Sequence, residues 1–171
     1  MKRLLILLVI LFTLSCDDGG LDIASFEFEE TINHCGESTI TLYRLSNNGH
    51  KEVLMLTLTD NEIREDEEVV APVQVSEIGK YTVTDRVFKS EVTSSYFCAT
   101  VPPVEPIVLK NWKGISGTIL VQNEAVYETG NANVIAWKHT IILQDVVLKD
   151  GDKSLIFNDT YLFGVYETPV N

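Results

Sequence analysis

From residue 23 onward the chain returns, roughly every 8–15 residues, to short runs rich in Val, Ile, Thr, Tyr and Phe. β-Branched and aromatic side chains suit a pleated, half-buried surface. No part of this region sustains a 3.6-residue apolar period with caps at its ends, so no long helix is expected. The candidate strands are 23–33, 38–46, 51–59, 68–76, 80–88, 92–99, 106–112, 115–123, 132–148 and 153–166. The fold class that follows is all-β, an antiparallel β-sandwich of about 8–10 strands.

Two turns set expected registers. Asn48-Gly49 supplies the positive φ angles of a type I′ turn. Tyr43 then faces Leu54, Thr41 faces Leu56, Leu42 faces Met55 and Ile40 faces Thr57. Asp150-Gly151 is the second turn, setting Leu148 opposite Lys153, Val146 opposite Leu155 and Thr140 opposite Tyr161. One face of this hairpin collects Ile142, Val146, Leu148, Leu155, Phe157, Tyr161, Phe163 and Val165. The other collects Trp137, Ile141, Leu143, Val147, Ile156 and Leu162. A ribbon apolar on both faces is a hazard at an open edge, so a central or covered place is expected.

Residues 102–106, PPVEP, interrupt the ladder because proline donates no backbone hydrogen bond. The segment beyond them is short and has no cysteine, so residues 23–171 are read as one domain with a crossing at 102–106.

The first residues carry a different signal. Lys2 and Arg3 precede eleven apolar or near-apolar residues, Leu4 to Leu14, then Ser15 and Cys16. A transmembrane helix needs roughly 20 apolar residues, so this segment reads as a removable secretion signal. Thr13-Leu14-Ser15-Cys16 resembles the lipobox of bacterial lipoproteins. The resemblance implies cleavage before Cys16, a diacylglyceryl group on its thiol and an acylated amino terminus. An aliphatic residue is commoner at the place of Thr13. Cleavage after Ser15 by an ordinary signal peptidase, and retention of the segment, stay open alternatives. Residues 1–15 are thus the expected signal peptide and 16–22 a lipidated flexible tether. Asp17-Asp18 directly after the cysteine is similar to Bacteroidota cell-envelope lipoproteins, where it favours the cell surface. That resemblance implies an outer-membrane anchor, and it covers only the first twenty residues.

Removing residues 1–15 leaves 156 residues with 11 basic against 25 acidic side chains, a net charge of −14. Such a balance disfavours nucleic acid as a partner. With Cys16 lipidated, Cys35 and Cys98 remain in an oxidising compartment, and a disulfide between them is expected. Two buried free thiols are the alternative. Tyr96-Phe97-Cys98 resembles the tyrosine-x-cysteine of immunoglobulin domains. No tryptophan lies between the cysteines, however, and Val92 stands where an acidic residue is expected, so that topology is not claimed.

Candidate chemistry is sparse. His34, His50 and His139 have no mutual metal spacing, and no HExxH occurs, so no metal or cofactor is expected. Glu62, Glu65, Asp66, Glu67 and Glu68 lack the spacing of a calcium loop and read as a solvated connection. No nucleophile elbow or phosphate-binding glycine loop is present. Tyr127, Tyr161, Tyr166, Trp112 and Trp137 are as readily core packing as a glycan platform. No catalytic residue is assigned. Two function classes follow. One is a non-enzymatic binding or structural module, held to membrane lipid through Cys16 and facing a glycan or envelope protein. The other is a small secreted hydrolase or enzyme inhibitor.

Overall fold

A computed structural model describes residues 26–64, 72–99, 101, 103–157 and 160–170 of the chain. The expected signal peptide, Cys16 and the tether lie outside the described residues, as do Glu65 to Glu68 and Pro102.

The elements are β1 (Asn33–Cys35), β2 (Thr39–Leu45), β3 (Glu52–Thr59), α1 (Asn61–Arg64), β4 (Val73–Gln74), β5 (Thr82–Phe88), α2 (Ser94–Cys98), β6 (Val108–Tyr127), β7 (Val134–Asp150), β8 (Lys153–Ile156) and β9 (Thr160–Pro169). The nine strands form one antiparallel sheet in the order β1-β2-β3-β5-β6-β7-β8, with β4 also paired to β6 and β9 to β7. The all-β antiparallel reading therefore holds. The sheet curls, and its own inner face supplies both layers of the packing. Leu42 of β2, Leu56 of β3, Val83 of β5, Ile119 of β6, Leu143 of β7 and Phe163 of β9 meet in one core. Each such side chain contributes roughly 1.5–3 kcal/mol by leaving water.

A smaller cluster lies on the outer face. Tyr43, Leu45, Val53, Phe88 and Val92 are buried there beneath Tyr96 and Phe97 of α2. Segment 92–99, expected as a strand, is instead this short helix. Its aromatic residues do favour strands, but an exposed apolar patch on β2 and β3 needs a cover. A helical turn aims Tyr96 at Phe88 and Phe97 at Tyr43, with ring centroids 5.1 and 4.7 Å apart. Cys35 and Cys98 are bonded, with their Cα atoms 5.4 Å apart. The bond joins β1 to α2.

Segments 106–112 and 115–123 are one 20-residue strand, β6. Its first half pairs with β5 and its second with β7. The bend between them is made by bulges. Gly117 has φ +116, and a Cβ there would lie 2.6 Å from Val146 Cα. Opposite it, Asp145 has φ +51, and the buried positions of β7 change phase from Ile141 and Leu143 to Val146 and Leu148. An extra residue in one strand does this, because side chains alternate with period two. It also redistributes the two apolar faces expected of this hairpin.

The registers differ from expectation by small offsets. The first hairpin sets Leu42 opposite Leu56 and Tyr43 opposite Met55. This joins inward leucine to inward leucine, and the loop widens to span Ser46 to Glu52, with positive φ at Gly49 and His50. In the second hairpin Gly151-Asp152 is the turn, so Asp150 faces Lys153 and Leu148 faces Leu155. β9 begins at Thr160 and sets Thr140 opposite Val165. Among its described residues, segment 23–33 contributes an isolated bridge, Phe28 to Ser46, and the first residue of β1, Asn33.

The Asp150 hairpin is not central. β7 is paired on both sides, but β8 and β9 form the outer edge. That edge is partly covered from the far end of the same sheet. Ile32 packs over Gly164, His34 over the Tyr166 ring, and Arg44 reaches the β9 carbonyls. Curling lets the chain cover part of β9, while Ile156, Leu162 and Val165 stay exposed.

Candidate functional site

Three polar sites stand out, two sealed and one open. The open one lies on the outer face where β5, β6 and β7 run side by side. It is a cleft of about 420 Å³ lined by Glu77, Asn111, Lys113, Ile115, Lys149, Asp150 and Gly151. Pairing places Thr84, Lys113, Lys149 and Ser154 in one row across four strands. Lys113 and Lys149 are therefore direct cross-strand neighbours. One row away Arg86 faces Asn111, and its Nε donates to Asn111 Oδ1 at 2.9 Å. That bond leaves the Asn111 amide hydrogens directed away from Arg86. Burial lowers the Arg86 pKa from its ordinary value. Lys113 holds Glu77 at 3.6 Å, with both side chains largely exposed.

The second site is inside the curl. Arg44, Leu54, Asp85 and Trp112 occupy one row across β2, β3, β5 and β6. Asp85 is wholly buried and Glu52 nearly so. Burial, then the charge of Glu52 and a proton shared with it, raise the Asp85 pKa to about 8. The Arg86 backbone amide opposes this. Neither Asp85 oxygen, nor Trp112 Nε1, has a partner at ordinary hydrogen-bond length and angle. Half-buried Tyr161 belongs to the same neighbourhood. Burial raises its pKa, Arg44 lowers it, and Asp85 and Glu52 raise it further.

The third site lies at the other end of the core. His139 is wholly buried between Asn123 Oδ1, 2.6 Å from Nδ1, and Thr168 Oγ1, 2.8 Å from Nε2. Burial lowers the His139 pKa to about 4, so the ring is neutral. Asn123 accepts only, at Oδ1, which fixes the proton on Nδ1; Nε2 then accepts from the Thr168 hydroxyl. Hydroxyl, imidazole and amide are ordered as in a nucleophile–base–orienter set. Thr168 is 6 % exposed, however, so substrate does not reach it in this conformation.

The residues singled out in the sequence are scattered by the fold. His50 is half-buried against Glu29, 2.6 Å away, at the β2–β3 loop. His34 and His139 both contact Tyr166, with ring centroids 5.3 and 6.2 Å away. Among the described residues no group of His, Cys, Asp and Glu is placed to hold a metal ion. Glu62 is buried, accepting from Tyr81 Oη at 2.7 Å and from Thr59 Oγ1. The five aromatic residues form no platform: Trp112 is buried inside and Tyr127 is exposed on β6.

Asp85, Glu52, Arg44, Asn123 and Thr168 went unremarked in the sequence. A signal exists for some. In β5, Val83, Asp85 and Val87 alternate on one face; in β7, Trp137, His139, Ile141 and Leu143 do so. A polar residue in phase with an apolar face points inward. Comparisons with protein-family models, with curated proteins and with solved structures find no match.

Proposed function

We propose that this chain is a membrane-tethered, surface-facing binding module that works without catalysis. Acylated Cys16 holds it to the outer membrane, and the Asp17-Asp18-Gly19-Gly20 tether lets the domain stand off the lipid. The observation that carries this reading is the placing of polar groups. Charged side chains line an open cleft that contains no Ser, Thr, Cys or His among its lining residues. The threonine–histidine pair with nucleophile–base geometry is sealed in the core.

Extraction of the protein from its native membrane and measurement of intact mass tests the anchor. A chain starting at Cys16 with acyl adducts is expected; an unmodified chain, or one retaining Leu4 to Leu14, rejects it. A screen of the full chain against ester and glycoside substrates, beside glycan and envelope-protein binding, tests the absence of catalysis. Among the described residues, the Thr168–His139–Asn123 order is a feature favouring a hydrolase. Turnover abolished by Thr168→Ala and retained by Thr168→Ser would establish that reading instead.

A further inference from the structure

We infer that the cleft of Lys113 and Lys149 binds an acidic saccharide, a sugar ring bearing a carboxylate or sulfate group. This rests on the binding-module reading and names its ligand class.

The first ground is the lysine pair. Directly opposed side chains on antiparallel strands have Cβ atoms about 4.5–5.5 Å apart, and like charges there repel. Lys113 and Lys149 are such a pair, in a chain whose acidic residues outnumber its basic ones 25 to 13. Glu77 reaches Lys113 at 3.6 Å, but an exposed pair of this length is weak and readily exchanged. Among the described residues Lys149 has no acidic partner within ion-pair distance. An anion between the two ammonium groups removes the repulsion.

The second ground is how the neighbours are oriented. Arg86 occupies Asn111 Oδ1, so Asn111 offers its amide hydrogens to the cleft. The half-buried guanidinium adds positive potential behind them. The donors thus converge on one region from β6 and β7, with Arg86 of β5 behind them.

The third ground selects a sugar over a bare inorganic anion. Glu77 and Asp150 also line the cleft. Carboxylates repel a free anion but accept hydrogen bonds from hydroxyl groups. Ile115, 43 % exposed, offers an apolar contact for ring C–H groups. Ammonium and amide donors, carboxylate acceptors and one apolar contact suit a hydroxylated ring with a single acidic substituent. The volume of about 420 Å³ falls within the usual range of small-molecule sites, roughly 300–1,000 Å³.

The test is calorimetric titration of the full chain in detergent with four probes: a uronic disaccharide, a sulfated disaccharide, a neutral disaccharide of the same linkage, and sodium sulfate. One or both acidic sugars should bind, and the difference between them identifies the acidic group. Lys149→Gln, and separately Lys113→Gln, should weaken binding about tenfold or more. Lys149 is exposed, so its variant should melt like the parent. Added salt should weaken the binding. Equal binding of the neutral sugar, sulfate binding as tightly as either acidic sugar, or no binding by any probe would each overturn the proposal. A chain that fails here yet binds other glycans or envelope proteins elsewhere leaves the binding-module reading standing. Turnover of a substrate rejects that reading instead.

Discussion

Arg44 Nη1 donates to the carbonyl of Phe163 across 2.6 Å, although 119 residues separate the two in sequence. The same guanidinium donates from Nε to Glu29 O at 2.6 Å and from Nη2 to Phe28 O at 3.1 Å. One planar cation thus ties the amino-terminal segment to the open edge of β9. Hydrogen bonds from charged groups contribute about 1.5–3 kcal/mol each. Arg44→Met should lower stability by about 3 kcal/mol or more, measured by denaturant unfolding. Amide exchange should quicken at 161–165. Arg44→Lys should recover little, since an ammonium cannot reproduce the guanidinium fork. Unchanged stability in Arg44→Met would show that the two edges hold together without it.

Asp85 and His139 give opposite pH dependences. Asp85 titrates near 8 when folded and near its ordinary carboxylate value, about 3.9, when unfolded. Its contribution is complete below pH ~4 and is lost as pH rises through about 8, at roughly 1.4 kcal/mol per unit. His139 titrates near 4 when folded and about 6.5 unfolded. Its contribution is complete above pH ~6.5 and is lost as pH falls towards 4. The two slopes cancel between pH ~4 and 6.5, and stability should fall from there to about 8. In Asp85→Asn that fall should disappear and stability should instead climb from pH ~4 to 6.5. Thermal melts across this range decide it. An Asp85→Asn profile parallel to the parent would mean that Asp85 is ionised when folded.

The Cys35–Cys98 bond closes a loop over 63 residues. The chain-entropy relation assigns such a loop roughly 4 kcal/mol. The double change to serine should remove stability of that order and speed exchange in α2, whose cover over Tyr43 and Phe88 then rests on packing alone. Peptide mapping without reductant should recover the linked pair from native protein. Two alkylatable thiols in freshly isolated protein would contradict it.

Gly117 sits at the bend of β6, at φ +116, with Val146 in the space a Cβ would take. Gly117→Ala meets both a backbone region unfavourable to L side chains and a backbone contact of 2.6 Å. It should cost about 2 kcal/mol or more, whereas Gly49→Ala, with open space around it, should cost less. Equal losses at the two sites would show that the bend tolerates adjustment.

The sequence by itself determined the class of the fold. Most of the Val, Ile, Thr and aromatic runs without helical period bury themselves as strands, and the Gly-containing turns near residues 49 and 151 mark the reversals. With Cys16 expected to carry lipid, Cys35 and Cys98 are left as the one expected pair, and that pair is bonded. Local pattern also carried faint traces of the buried polar groups, because Asp85 and His139 keep step with apolar neighbours. Only the tertiary structure decided the rest. Registers depended on which leucines met across the core and on bulges at Asp145 and Gly117, where one extra residue exchanges inside for outside. The Tyr96-Phe97 segment became helical because a distant patch on β2 and β3 needed covering. Lys113 and Lys149, and Arg44 and Phe163, are neighbours solely because the sheet places remote strands side by side and then curls. Local propensity acts over a few residues, whereas these juxtapositions are set by the burial of the whole chain.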